Sequence, residues 1–221
     1  MKKFLKRAFL LLLVLGMALC GIVALRGYWM YRDALERQGL PERVEEIRSD
    51  SNYTKVDQLP ALYLEAVVAV EDHRFWDHCG IDLIAIGRAA WHDLTSWSLK
   101  EGGSTITQQL AKNLYFTQER SFIRKAAEVF MAFALERSYS KEEILELYVN
   151  SIYFGNGYYT VREASMGYFG KEPSEMDDYE STLLAGIPNA PSVYALTANP
   201  ELARQRQQFV ERQMERYGRG E

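Results

Sequence analysis

The sequence predicts a mainly α-helical domain behind a single N-terminal membrane-spanning helix. Apolar residues recur at helical spacing over stretches of roughly ten to seventeen residues, a usual length for globular helices. Almost no segment alternates as a half-buried strand does. Ala8–Leu25 carries no charge, with Lys2, Lys3, Lys6 and Arg7 before it and Arg26 after it. At 221 residues the chain can hold one catalytic-size domain with a substantial core. A net charge of −4 argues against a nucleic-acid partner, so any anion site must be local. Cys20 and Cys79 lie in settings that do not pair, and no spacing resembles a zinc site.

The anchor is just long enough, since about twenty apolar residues cross a bilayer. Positive charge ahead of residues 8–26 predicts a cytoplasmic segment at 1–7 and a domain on the far side. A cleaved signal peptide is the alternative, but its apolar core is usually shorter and Ala18–Gly21 offers no good small-x-small site. Residues 27–56 are polar and mixed and read as a stalk; Pro60 then opens a helix, where proline is tolerated.

That helix, ALYLEAVVAV, runs into EDHRFWDHCG at Glu71–Gly80. Glu71 sits at the edge of an apolar segment, where desolvation raises a carboxyl pKa and prepares it for acid–base work. A solvated acidic turn at a helix end has the same letters. Ile81–Leu99 follows with Trp91 and Trp97 among its apolar residues, more apolar surface than one core helix requires. It reads as a membrane-dipping lobe or an ordinary buried helix, and Arg88 within it can reach an anionic ligand or face solvent.

Gly102-Gly103-Ser104 turns into TITQQLAKNLYF, with Ile106, Leu110 and Leu114 on one face and Thr105, Gln108, Gln109, Lys112 and Asn113 on the other. A glycine turn into a helix N-terminus suits an oxyanion held by free backbone N–H groups; an amphipathic surface helix looks similar. Ser121 is a candidate N-cap for FIRKAAEVFMAFALER, where Arg124 and Lys125 share a neighbourhood with Glu128. The apolar VFMAFAL after Glu128 implies burial, and a buried carboxylate needs partners. Arg120 adds a further cation one turn back. Ser140 and Glu143 form a capping box for KEEILELYVN. Two helical segments follow, and the tail from Glu201 is charged and amphipathic.

In this order, EDHRFWDHCG, GGSTITQQLAKN, RKAAE and KEEILELYVN resemble the motifs of peptidoglycan glycosyltransferases of glycosyltransferase family 51, in particular the monofunctional, membrane-anchored ones. The resemblance spans residues 57–212, leaving 213–221 as a polar tail. It implies a lysozyme-like helical fold with a small membrane-associated jaw lobe over Ile81–Leu99. It also implies polymerisation of lipid II into glycan strands at the bacterial inner (plasma) membrane, with the catalytic domain outside. Carried onto matching positions, Glu71 is the general base on the acceptor 4-hydroxyl, which attacks the donor anomeric carbon with inversion. Glu128 assists departure of undecaprenyl diphosphate, directly or through a divalent cation such as Mg2+ or Mn2+; no organic cofactor is implied. Ser104, Lys112, Arg120, Arg124 and Lys125 resemble the diphosphate-holding residues, and Gln108, Gln109 and Asn113 those of the donor pocket. Asp72, Phe75, His78 and Arg88 are further candidates for substrate contact.

One departure stands out: Thr160 occupies a position where the family commonly has glycine, and a φ > 0 conformation would strain a threonine. No transpeptidase segment follows before Glu221, so cross-linking is expected from another wall-synthesis protein. A glycan hydrolase or lytic transglycosylase would also use carboxylates in a helical fold, but has no need of the Lys112, Arg120, Arg124, Lys125 cations. A catalytically silent scaffold has no need of Glu71 and Glu128.

Overall fold

The computed structural model describes residues 2–96, 103–117, 119 and 121–218. Trp97, Leu99, Gly102 and Arg120 therefore lie outside the described residues, as does the end of the tail. Among the described residues every regular element is helical and there is no strand. The α-helices are α1 (Lys2–Arg37), α2 (Leu40–Arg48), α3 (Ala61–Glu71), α4 (Leu83–Ser96), α5 (Ile106–Tyr115) and α6 (Phe122–Ser138). They continue as α7 (Lys141–Val149), α8 (Val161–Phe169), α9 (Asp178–Gly186), α10 (Pro191–Tyr194) and α11 (Pro200–Tyr217).

The apolar part of α1 is long enough to cross a membrane, and its most apolar 18-residue window is 0% buried in the protein. A core helix of that composition would be covered by the fold. The stalk expected over residues 27–56 is instead largely helical and packed. α1 runs on without a break to Arg37 and lies along α6, and Ala34, Leu40 and Val44 are buried in the core. The polar residues that suggested a stalk are the outer faces of these helices.

α3 is apolar around its circumference, and Tyr63, Ala66, Val67, Val68 and Ala69 are all buried. Such a helix requires cover on several sides; α9 and α11 supply it, while α5 packs on α6 and α7. The segment from Glu201 that reads as a charged tail is thus an integral helix, with Ala203, Gln207 and Val210 buried. Local caps fix the helix starts as expected: Ser121 Oγ accepts from Arg124 N–H at 3.0 Å, and Ser140 and Glu143 bond reciprocally at 3.2 and 3.0 Å.

Thr160 carries no strain. Its φ is −128°, and its hydroxyl accepts from Glu163 N–H as the N-cap of α8. The positive φ angles of that loop fall on Gly155, Asn156 and Gly157 instead. α4 leaves Leu83, Ile84, Ile86 and Trp91 exposed, as a membrane-facing lobe requires. Its start is tied to the domain by buried Asp82, whose Oδ1 accepts from Ile84 and Ala85 N–H and whose Oδ2 lies 3.1 Å from Arg74 Nε.

Candidate active site

Glu71 ends α3 and Asp72 caps it, and these adjacent carboxylates have different environments. Asp72 turns inward. Its Oδ2 accepts from Ile106 N–H at 3.0 Å and from His78 Nε2 at 2.9 Å. His78 Nδ1 accepts from Gly80 N–H at 3.2 Å, which places the ring proton on Nε2, facing Asp72. Asp72 therefore clasps the EDHRFWDHCG loop to the first turn of α5. Phe75 is 0% exposed, with Lys141 Nζ 4.5 Å over its ring. Asp72, His78 and Phe75, the candidates for substrate contact, thus have their polar atoms engaged with each other and with α5 or their surface inside the core. Arg88 is exposed on α4 and acts electrostatically on His73, whose pKa is lowered by burial and then by this charge.

The two carboxylate oxygens of Glu71 differ. Oε2 accepts from Gln109 Nε2 at 2.9 Å, while Oε1 is buried with no hydrogen-bond partner among the described residues. Burial raises the Glu71 pKa above the ordinary carboxyl value. The Gln109 bond and the charges of Arg206 and Lys112 oppose that rise, and Asp72 adds to it. Gln109 is held in turn: its Oε1 accepts from Tyr148 O–H at 3.2 Å, and Tyr148 is fully buried. Gln109, expected in the donor pocket, thus links Glu71 to Tyr148.

Gln108, expected in the donor pocket, is 1% exposed and pairs with Thr105 in a capping box that stabilises the start of α5. That box and Asp72 occupy the N–H groups of Ile106 and Gln108, so the free-amide oxyanion site expected there is absent at those two groups. Asn113 is half-buried on α5.

Positive charge is concentrated by side chains around Glu128, which is 2% exposed on α6. Arg124 Nη1 donates to Glu128 Oε1, and Arg124 Nε donates to the Glu119 carbonyl at 2.6 Å. Lys125 Nζ lies 3.0 Å from Glu128 Oε2 and donates to Ser104 Oγ at 2.6 Å. Lys112, half-buried on α5, has its pKa lowered by burial and by Arg124 and Lys125, while Glu128 and Glu71 hold it up. Lys112 therefore lies in the field of both carboxylates. Three cations against Glu128 leave a net positive cradle beside a carboxyl group of raised pKa. That arrangement suits removal of a proton from one reactant and departure of an anion from the other.

Arg206 is the residue that sequence reasoning missed. Its guanidinium sits 4.7 Å from the Phe209 ring and 5.7 Å from the Tyr194 ring, its Nε donates to the Gly186 carbonyl at 3.3 Å, and its charge acts on Glu71. The available signal was its place beside Ala203, Gln207 and Val210 on the buried face of an amphipathic helix.

A family model described as Transglycosylase matches residues 40–215. The chain is 44% identical over 155 residues to penicillin-binding protein 1F of Bacillus subtilis (strain 168), covering 70% of this chain and 22% of that protein. It is 46% identical over 162 residues to penicillin-binding protein 1A of Aquifex aeolicus (strain VF5), covering 73% and 22% respectively. With penicillin-binding protein 1A of Neisseria flavescens the identity is 44% over 158 residues, covering 72% and 20%. The chain thus spans about a fifth of the length of these curated relatives.

Proposed function

The chain belongs to the transglycosylase family, and on that premise we propose that it polymerises lipid II, a disaccharide-pentapeptide on undecaprenyl diphosphate, into peptidoglycan strands. The observation that carries this reading is the pairing of Glu71, half-buried and held by Gln109, with the Lys112, Arg124 and Lys125 cradle. Glu71, through its unpartnered Oε1, takes the proton of the acceptor 4-hydroxyl. The hydroxyl oxygen attacks the donor anomeric carbon with inversion, and the bond from that carbon to the diphosphate breaks. The diphosphate leaves with the electron pair, and the cradle meets the negative charge as it develops. Glu128 holds Arg124 and Lys125 in place for that task.

Each Glu128 oxygen is bonded to a cationic side chain, so a divalent cation, Mg2+ or Mn2+, would have to share Glu128 with Arg124 and Lys125. The partners in this reading are lipid II, the growing glycan strand, the bacterial membrane, and transpeptidase and other cell-wall synthesis proteins. The positive N-terminal segment supports a cytoplasmic N-terminus and an extracytoplasmic catalytic domain.

The test is polymerisation of labelled lipid II by the full-length protein in detergent, with products resolved by size, beside Glu71→Gln. Long strands from the wild type and none from the variant are expected. Intact lipid II with shortened preformed glycan would make the protein a hydrolase. If neither substrate changes while a known polymerase works in the same assay, the scaffold reading takes its place.

A further inference from the structure

α1 meets α6 at closer range than side chains normally allow, and the meeting point adjoins the cation cradle. A Cβ placed on Gly27 would lie 2.5 Å from Ala126 Cβ, 3.0 Å from Ala127 N and 3.1 Å from the Ala126 carbonyl carbon. Gly27 is buried and lies just beyond the charge-free run, so its backbone rests directly on α6. One turn further along α6, Phe130 packs against Tyr28 and Tyr31, with ring centroids 5.5 and 6.1 Å apart. Gly27 with Ala126, then Tyr28 and Tyr31 with Phe130, show that the two helices advance in the same direction. Ala126 and Ala127 are the residues between Lys125 and Glu128.

We infer that Gly27 is a positioning residue. Its missing side chain lets the membrane-spanning helix seat against Ala126 and so sets where α6 holds Arg124, Lys125 and Glu128. Carbon atoms rest at about 3.5–4.0 Å, so a methyl group at 27 separates the helices by roughly 1 Å. A displacement of that size at a catalytic group costs on the order of 10²-fold in rate. The anchor then does more than retain the protein at the membrane, because it forms one wall of the scaffold behind the cradle. This inference rests on the reading of that cradle as the diphosphate site.

The experiment compares full-length Gly27→Ala, Ala126→Gly and the double variant in micelles. It measures lipid II polymerisation as separate kcat and KM, thermal unfolding, and amide exchange over residues 122–130. Gly27→Ala is expected to lose about 10- to 100-fold in kcat/KM, through both constants because α6 carries donor-binding and leaving-group residues. Ala126→Gly removes the closest contact but leaves the backbone approaches at 3.0 and 3.1 Å, so the double variant should recover part of that loss, and Ala126→Gly alone should stay near wild type. Wild-type kinetics for Gly27→Ala, or a double variant as slow as the single, would overturn the inference. If the wild type makes no polymer, the assigned reaction fails, and the seat is then judged by exchange. Faster exchange of α6 in Gly27→Ala, lessened in the double variant, upholds the seat; unchanged exchange refutes it.

Discussion

Gln109 donates to Glu71 Oε2 at 2.9 Å from the amide nitrogen while its amide oxygen accepts from Tyr148 at 3.2 Å. The Tyr148 hydroxyl decides which end of Gln109 faces the carboxylate. With it in place, the N–H end stabilises the charged form of Glu71 against the burial that raises its pKa. Removing the hydroxyl frees the amide to flip, and an oxygen facing Glu71 would favour the protonated acid.

Tyr148→Phe should therefore shift the acid limb of the kcat/KM profile upward in pH. A base works when ionised, so its rate falls as pH drops through its pKa, and a further rise in that pKa moves the fall to higher pH. Donor KM at a pH well above the limb should be unchanged. A limb that stays in place would show that the tyrosine only packs.

Arg124 and Lys125 both bind Glu128, but their side chains are 14% and 42% exposed. Arg124→Ala strips a buried carboxylate of its better shielded partner and should cost about 3 kcal/mol of stability. Lys125→Ala should cost about 1 kcal/mol or less, because exposed pairs contribute little. Both should weaken donor binding and lower the rate, Arg124→Ala by about 10²–10³-fold. Equal unfolding free energies for the two variants would contradict this ordering.

Asp72 is assigned to structure, so Asp72→Asn should be felt mainly in folding. It weakens the bonds to Ile106 N–H and His78 and should destabilise by about 2 kcal/mol, the scale of hydrogen bonds to a charged group. Donor affinity of the folded protein should remain close to wild type. A large loss of donor binding with unaltered unfolding would return Asp72 to the substrate.

Thr160 gives a prediction of sign. If the position called for a left-handed backbone, glycine would relieve strain and stabilise the protein. With φ at −128° and the hydroxyl bonded to Glu163 N–H, Thr160→Gly should destabilise by a few tenths of a kcal/mol and Thr160→Ala by about 1 kcal/mol. Thermal melts that rise for the glycine variant would sink this account.

The helical class, the apolar anchor and the caps at Ser121 and Ser140 were legible in the sequence because each is a relation between residues one turn apart. The same holds for Glu128 with Arg124 and Lys125, which share a helix face whatever surrounds it. Gln109 reaches Glu71 across 38 positions and Tyr148 reaches Gln109 across 39, and periodicity says which face of a helix is apolar but not which helix it meets. Burial is likewise a property of the assembled domain. Asp72, His78 and Gln108 have the polarity of binding residues, and only packing shows their bonds to be internal. Helix packing likewise brought Arg206 and Lys112 to Glu71 and Gly27 to Ala126. Local spacing determined the helices and their caps, whereas tertiary packing decided how each carboxylate is bonded and which cations face it, because those contacts join residues far apart in the chain.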